Sequence, residues 1–155
     1  MSITPREVLE KLADFPLRVF EPADVVLHSG STTGQLMFLT HGCVDIVIEE
    51  GHLAQVTEPG AVFGEMALFL GRPHTADVLA VQPSGFYIVE RPESFLKAEP
   101  LVALYIATVL AERLNAVNHL LIEARRRAAE TRERPGAMSD VFERLRRALH
   151  IHVPS

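Results

Sequence analysis

The sequence has a single cysteine, Cys43, in a chain of 155 residues. One cysteine can form no internal disulfide and no cysteine-based zinc site. Its apolar neighbours in GCVDIVI indicate a small side chain buried in the protein, in preference to a reactive thiol. The structure and chemistry of the chain therefore have to come from other residue types.

Features of membrane and secreted proteins are missing as well. No stretch reaches the roughly 20 uncharged apolar residues of a membrane-spanning helix, and the N-terminal MSITPREVLEKLADF lacks the basic-then-apolar order of a signal peptide. The composition, with 48% hydrophobic and 23% charged residues, is that of an ordinary globular domain. We therefore expect a cytoplasmic protein of one domain with appended helices and no membrane contact.

The common catalytic and metal-binding patterns are also absent. The sequence has no Walker-type phosphate loop and no serine or cysteine nucleophile motif. A metal-binding cupin barrel needs a His-x-His pair with another histidine and a glutamate on neighbouring strands. Here the histidines of the β-type region stand singly, and the one His-x-His pair lies in the C-terminal tail: His28, His41, His52 and His74, then His150 and His152. We expect neither catalysis nor a bound metal.

The pattern of the sequence changes twice along the chain. Thr4, Pro5 and Glu7 form a capping-box start, which predicts a short helix over about residues 5–13. From about residue 17 to residue 90, short β-type runs alternate with glycine, proline, serine and threonine, as in an antiparallel barrel or sandwich. After Pro92, a glycine-free stretch predicts a long helix to about residue 134. Beyond it, SDVFERLRRALHIH predicts a short helical tail within residues 135–155.

The long predicted helix carries a nearly heptad seam of apolar residues. The seam can pack on the protein's own barrel, or on the same helix of a second copy across a two-fold axis, and both can hold along different lengths. Its members are Leu110, Leu114, Val117, Leu121, Ala124 and Ala128.

Residues 60–80, GAVFGEMALFLGRPHTADVLA, interrupt the β pattern. EMALFLG shows no alternation and follows Gly64, which predicts a glycine turn into a short helix. The N–H groups at the start of such a turn attract an anion. Glu65 is unfavourable at that point unless it accepts hydrogen bonds from sugar-type hydroxyls, and a nucleotide offers both a phosphate and a sugar. An isolated pattern of this kind is more simply explained as a plain helix cap.

This segment resembles the phosphate-binding cassette of the cyclic nucleotide-binding domain family, which reads approximately F-G-E-x-A-L, then a glycine, then P-R-[S/T/A]-A-x-V. The chain has FGEMAL at residues 63–68, Gly71, and PHTADV at residues 73–78. The resemblance extends over roughly residues 10–125, with Gly30 and Gly42 at turns and Pro59 and Gly60 before the cassette.

The resemblance implies a fold that is mainly β with flanking helices. We expect an antiparallel β-roll, similar to a jelly-roll barrel, that contains a short cassette helix and is followed by a long C-terminal helix. The implied domain covers residues 1–134, with the β-roll at about 17–90 and the long helix at about 93–134, and residues 135–155 form the helical tail.

The resemblance also implies which residues contact the ligand. Glu65 would accept hydrogen bonds from the ribose 2′-hydroxyl, the backbone N–H groups of Ala67 and Leu68 would face the cyclic phosphate, and Thr75 would place its hydroxyl near it. A threonine here is associated in the family with acceptance of cGMP, so cAMP and cGMP are both expected as candidates. The predicted ligand-binding set is Phe63, Gly64, Glu65, Met66, Ala67, Leu68, Arg72, His74, Thr75, Ala76 and Asn118.

Two members of this set have a second interpretation. Asn118 lies where the lid helix of the family meets the purine, and it is equally well explained as a polar residue of the helix seam or surface. His74 stands where the family has an arginine. Arginine is always charged and binds phosphate through two parallel N–H groups, whereas histidine offers one contact and is charged part of the time near neutral pH.

The loss of one charge-assisted hydrogen bond costs roughly 1.5–3 kcal/mol, about ten- to hundredfold in affinity. Arg72 could supply the missing charge, or the pocket binds no nucleotide, as in degenerate members of the family. Glu65 and Thr75 favour binding, because the fold alone requires neither. If His74 is a ligand, affinity is expected to rise as pH falls through its pKa, about 6.5 when unperturbed.

We therefore predict a non-catalytic sensor of cAMP or cGMP that forms a homodimer through its long helix and signals to an effector protein in trans. The alternatives are a degenerate module used only for dimerisation or protein interaction, and a fragment of a larger regulator. The net charge of −5 argues against a general nucleic-acid binder. A helix-turn-helix needs more than about 40 residues, and only residues 135–155 follow the long helix, so we expect no DNA-binding domain in this chain.

Overall fold

The computed structural model describes residues 3–49 and 51–130. A short helix precedes eight strands, a second short helix interrupts the strands, and two helices follow them. In chain order these are α1 (Pro5–Lys11), β1 (Leu17–Phe20), β2 (Val25–Leu27), β3 (Leu36–His41), β4 (Val44–Ile48), β5 (Gly51–Val56), β6 (Val62–Phe63), α2 (Glu65–Leu70), β7 (Asp77–Ala80), β8 (Ser84–Val89), α3 (Pro92–Ala98) and α4 (Pro100–Glu130).

Helix α1 begins with the capping box that the sequence predicts. The Thr4 side chain accepts from the Glu7 N–H, and the Glu7 carboxylate accepts from the Thr4 N–H at 2.7 Å. Pro5 occupies the first turn, where its missing N–H costs no helical hydrogen bond. The helix ends at Lys11, two residues before the predicted end, and Val8 and Leu12 anchor it in the interior.

The strands form two antiparallel four-stranded sheets, with the orders β1-β8-β3-β6 and β2-β7-β4-β5. The buried core includes side chains from both sheets, such as Met37, Val44, Val78 and Phe86. The ring of Phe86 makes edge contacts with the rings of Phe20 and Phe63, each with the ring centroids 5.7 Å apart. This arrangement confirms the antiparallel β-roll with an inserted cassette helix.

Strand β6 has only two residues and was not predicted as a separate strand. It pairs with β3 through Met37↔Phe63 and Phe38↔Val62. Two residues are too few for an alternating pattern, so the pairing is a tertiary effect. Its consequence is that the chain enters the cassette from a strand that is paired with β3, an inner strand of its sheet.

The helix predicted from about residue 93 is divided into α3 and α4 in the structure. Glu99 adopts φ −123° and ψ 71°, outside the helical region. Pro100 causes this break, because the ring of a proline disfavours helical backbone in the preceding residue and removes a hydrogen-bond donor. The glycine-free pattern correctly predicts helical structure here, but it does not predict the boundary that Pro100 introduces.

The chain divides into two compact units, Met1–Ala107 and Thr108–Ser155. Helix α4 contributes to both: in the first unit it buries Val102, Tyr105 and Ile106, whereas in the second its apolar side chains Leu114, Val117, Leu120 and Ile122 are exposed. The predicted tail over residues 135–155, and the end of the predicted helix at 131–134, lie outside the described residues.

By length and composition alone, α4 is apolar enough to cross a membrane. From the sequence we expect no membrane span, because no stretch reaches about 20 uncharged apolar residues, and in α4 the apolar run is interrupted at Glu112 and Arg113. Helices of this composition also occur in soluble proteins, where the apolar side packs on a core or on a second chain. Helix α4 therefore does not by itself assign the protein to a membrane.

Candidate functional site

The site is built around the turn that leads from β6 into α2. Gly64 adopts φ 89°, in the left-handed region that a residue with a Cβ enters only with strain. A Cβ on Gly64 would lie 2.5 Å from the backbone oxygen of Gln35, which is closer than any van der Waals contact allows. Glycine is therefore required here, and its small size brings the chain against the segment before β3.

Glu65 follows as the first residue of α2, and its side chain is buried, with only 4% exposed. A buried carboxylate costs free energy unless hydrogen-bond donors or a positive charge compensate for the lost water. The charge of Glu65 favours the protonated form of the His74 imidazole and so acts to raise the pKa of His74.

Helix α2 is a short helix closed by a second left-handed glycine, Gly71, at φ 60°. The N–H of Leu68 donates to the oxygen of Gly64 at 3.1 Å. Ala67 is the third residue of the helix, a position whose N–H has no intrahelical acceptor. On the outer side of the helix, the apolar side chains of Met66, Phe69 and Leu70 are each more than half exposed.

His74 is buried, with 8% exposed, and it is bound to the loop between β2 and β3. Its backbone N–H donates to the oxygen of Ser31 at 2.8 Å, and its backbone oxygen accepts from the N–H of Gly30 at 2.7 Å. Its ring nitrogen Nε2 forms a hydrogen bond with the hydroxyl of Thr33 at 3.0 Å. The loop, residues 28–35, therefore fixes both the backbone and the ring of His74.

The ring of His74 faces the start of the cassette helix. A Cβ built on Gly64 would lie 3.7 Å from Cε1 of His74, so the nitrogen-bearing edge of the ring is against the Gly64 turn. Burial lowers the pKa of His74 below its ordinary value of 6.5, and the neighbouring Glu65 opposes this by favouring the charged form. His74 is consequently neutral near pH 7 in the free protein.

The remaining predicted ligand residues lie in three kinds of environment. Phe63 belongs to the buried core, where its ring contacts Phe86. Arg72 and Thr75 are exposed beside His74, and Ala76 is half-buried. Asn118 is a half-buried residue of α4 in the second compact unit. The structure thus brings together Gly64, Glu65 and His74 in the first unit.

Sequence reasoning missed the loop between β2 and β3 as part of the site. HSGSTTGQ has no motif, and it is typical of an exposed turn. Thr33 contacts a residue 41 positions later in the chain, and a single sequence carries no signal for such a pair. Only Gly30 of this loop was noted, as a turn of the roll, and it does adopt a positive φ of 80°.

Within residues 3–49 and 51–130, no group of three or more histidine, cysteine, aspartate or glutamate side chains is arranged to hold a metal ion. The buried cysteine, Cys43, donates its backbone N–H to the Ser84 hydroxyl at 3.0 Å. The polar groups of the cassette and its neighbours include the Glu65 carboxylate, the His74 imidazole, the Arg72 guanidinium and the hydroxyls of Thr33 and Thr75, which suit an anionic, hydroxyl-bearing ligand.

Comparison with known protein families gives a match over residues 17–98 to the cyclic nucleotide-binding domain. The chain belongs to this family. The matched residues include all eight strands and the cassette, so the resemblance seen in FGEMAL and PHTADV is confirmed.

Individual relatives agree with this family. The chain is 26% identical over 141 residues to the potassium/sodium hyperpolarization-activated cyclic nucleotide-gated channel 3 of Mus musculus. The aligned residues cover 90% of this chain and 18% of the channel. A crystal structure of the Thermus thermophilus catabolite activator protein has a TM-score of 0.65 and 26% identity, covering 79% of this chain and 60% of that one. A cyclic nucleotide-binding domain from Methylobacillus flagellatus has a TM-score of 0.62 at 19% identity, over 77% of this chain and 83% of that one.

The chain spans less than a fifth of the length of the channels that it matches, 18% of one and 13% of another. The shared part is the cyclic nucleotide-binding domain, and the rest of those proteins has no counterpart among the aligned residues. The family membership therefore assigns the β-roll and its cassette.

Proposed function

We propose that the protein binds cAMP or cGMP at the α2 cassette without catalysing a reaction, and that it acts as a regulatory sensor. The observation that carries the proposal is the occurrence of a buried glutamate, Glu65, and a buried histidine, His74, beside a left-handed glycine turn in a family cassette. Buried ionisable groups that the fold does not need for packing are typical of ligand sites.

Each group of the site has a counterpart on a cyclic nucleotide. The Glu65 carboxylate would accept hydrogen bonds from the ribose 2′-hydroxyl. The Ala67 N–H, the His74 ring and the Thr75 hydroxyl would donate to the cyclic phosphate. The Leu68 N–H can take part only if it exchanges its hydrogen bond to Gly64, so a small movement of the first turn of α2 accompanies its participation.

His74 in place of arginine makes the phosphate contact weaker than the family pattern. A neutral imidazole donates one uncharged hydrogen bond, whereas a guanidinium donates two charge-assisted ones. Arg72 is exposed two residues away, and its side chain is a candidate for restoring positive charge at the phosphate. We expect moderate affinity as a result.

Thr75 leaves the choice between cAMP and cGMP open, because its hydroxyl can serve the phosphate and also accept from the amino group of guanine. Asn118 on α4 is proposed as a purine contact. Both roles follow from the family pattern, and they are tested by measuring the affinities of cAMP and cGMP for Thr75→Ala and Asn118→Ala variants. Thr75→Ala should change the preference between the two nucleotides. Asn118→Ala should lower the affinity for both.

The signal is proposed to reach α4 through Tyr105. Its hydroxyl donates to the backbone oxygen of Gly60 at 2.9 Å in a buried position, and Gly60 leads through β6 into the cassette. A nucleotide acts on α4 only as far as it prefers one arrangement of this contact over another. Tyr105→Phe should leave nucleotide binding intact and reduce the ligand-induced change in hydrogen exchange along α4, whereas an unaltered exchange response would exclude this route.

A homodimer through α4 is supported by its unburied apolar seam. Leu114 and Val117 are 42% and 43% exposed, and paired seams of this spacing form two-stranded coiled coils. We expect sedimentation equilibrium to give a dimer that the double change Leu114→Glu and Val117→Glu converts to a monomer. A monomeric wild-type protein at micromolar concentration would exclude the dimer. We propose that the protein is cytoplasmic and that it passes its signal to a separate effector protein.

The direct test of nucleotide binding is thermal unfolding with added ligand. Millimolar cAMP or cGMP should raise the melting temperature, because a ligand that binds only the folded state stabilises it by roughly 2.7 kcal/mol at a hundredfold excess over its dissociation constant. 5′-AMP and 5′-GMP serve as controls that carry the same bases without the cyclic phosphate. If no cyclic nucleotide shifts the transition, the sensor proposal is wrong and the degenerate interaction module takes its place.

A further inference from the structure

The hydrogen bond between Thr33 and His74 determines more than the position of a ring. A neutral imidazole carries its proton on one of two nitrogens, and only that nitrogen can donate to an anion. The Thr33 hydroxyl contacts Nε2 at 3.0 Å. Whichever role Thr33 takes at Nε2 therefore decides what His74 offers at Nδ1, its other nitrogen.

The environment of Thr33 favours the hydroxyl as donor. The backbone N–H of Gln35 points at the Thr33 oxygen at 3.4 Å, so this oxygen already faces one donor. Its own hydrogen is then best directed at the lone pair of Nε2. With Nε2 accepting, neutral His74 has to carry its proton on Nδ1.

Nδ1 is also the nitrogen that a ligand can reach. The hydrogen bond of the His74 ring is made by Nε2 and not by Nδ1. Among the described residues, every fully buried side-chain nitrogen or oxygen has a hydrogen-bond partner, so Nδ1 is not fully buried. Nδ1 is therefore on the side of the ring that remains accessible. The Cε1 edge between the two nitrogens lies against Gly64, which places Nδ1 beside the start of α2.

We propose that Thr33 is a positioning residue that holds neutral His74 as the Nδ1–H tautomer, so that an uncharged histidine still presents an N–H to the cyclic phosphate. This inference rests on the proposed function for its ligand, but the tautomer itself is a property of the free protein. It gives this chain a way to bind an anion without the permanent charge of arginine.

A hydroxyl suits this position because it can reverse its role. When His74 takes up a proton, Nε2 becomes a donor, and the Thr33 oxygen can accept the hydrogen bond in place of donating it. A valine of the same shape can do neither. Serine retains the hydroxyl, and Thr32, next in the chain and exposed, provides a substitution site with no role in the proposal.

The decisive experiment is long-range ¹H–¹⁵N correlation of the histidine rings in the free protein above the pH at which they titrate, with the His74 signals assigned from a His74→Asn variant. Wild type, Thr33→Ser and Thr32→Val should show the Nδ1–H pattern, and Thr33→Val should change to the Nε2–H pattern or a mixture. An Nε2–H pattern in wild type, or a tautomer ratio unchanged by Thr33→Val, would overturn the proposal.

Calorimetric titration with cAMP and with cGMP at the same pH tests the consequence for binding. Thr33→Val should weaken the tighter nucleotide roughly three- to tenfold, as expected for one neutral hydrogen bond, while Thr33→Ser and Thr32→Val keep wild-type affinity. Unchanged affinity in a Thr33→Val protein whose tautomer has changed would overturn the role in binding. If wild type binds neither nucleotide, the proposed function fails, and the ring spectra still decide the tautomer.

Discussion

The two sides of the cassette are fixed in different ways. On the glutamate side, Gly64 and Glu65, position is set by the backbone: a left-handed glycine pressed against Gln35 starts a helix whose first residue is a buried acid. On the histidine side, His74 and the loop of residues 28–35, position is set by three hydrogen bonds from a distant part of the chain. The glutamate side is consequently rigid by steric exclusion, and the histidine side depends on hydrogen bonds and protonation.

The largest expected effect comes from a change on the glutamate side. Gly64→Ala should destabilise the protein by about 3 kcal/mol, because two costs add. Alanine is strained in the left-handed backbone conformation, and its Cβ would clash with the Gln35 oxygen unless the chain moves. Chemical unfolding measures the loss. Gly71→Ala is the matched control at the other end of α2, because it has a positive φ and nothing within 4 Å of its added Cβ. Equal losses in the two variants would show that the Gln35 contact has no energetic role.

On the histidine side, His74→Arg should strengthen binding of the cyclic nucleotide. The guanidinium restores a permanent charge at the phosphate, which is expected to raise affinity about tenfold, or roughly 1.4 kcal/mol. Titration calorimetry of the two proteins provides the comparison, and Arg72→Gln reports whether the exposed arginine already supplies this charge. Lower or unchanged affinity in His74→Arg would mean that the side chain at residue 74 does not face the phosphate.

The smallest expected effect is the response to pH, and it has opposite signs in the free and bound protein. Burial lowers the pKa of folded His74 below its unfolded value of about 6.5. The free protein therefore has its full stability above that pH and loses part of it as pH falls through the folded pKa. Ligand affinity should rise over the same interval, because protonated His74 attracts the phosphate.

The groups that act on His74 make this pH test specific. Thr33 and the Ser31 and Gly30 backbone contact it from the loop, and Glu65 is the charged side chain from α2 that acts on the ring. Melting temperatures with and without ligand at about pH 7.5 and about pH 5.5 span the titration of a histidine. His74→Arg is the control, since arginine keeps its charge throughout. If lowering the pH increases the ligand-induced rise in melting temperature equally in wild type and His74→Arg, a group other than His74 causes the pH dependence.

The same contrast explains what could be predicted from the sequence. The Gly64 turn, the acid at Glu65 and the capping box at Thr4 are local patterns, and the structure has them where the sequence places them. Strand β6 and the role of Thr33 arise from pairing across the fold, so no local pattern predicts them. The break at Pro100 was a local signal that was outweighed by the apolar periodicity around it.

Glu65 is the proposed sugar-binding group, and titration calorimetry with cAMP and cGMP on wild type and Glu65→Gln tests this role most directly. The amide has nearly the same shape but accepts more weakly and carries no charge. Wild type should bind one nucleotide per chain, and Glu65→Gln should bind it roughly ten- to hundredfold more weakly, the cost of a charged hydrogen bond. Equal affinity in the two proteins, or no heat from either nucleotide with wild type at millimolar concentration, would contradict the account.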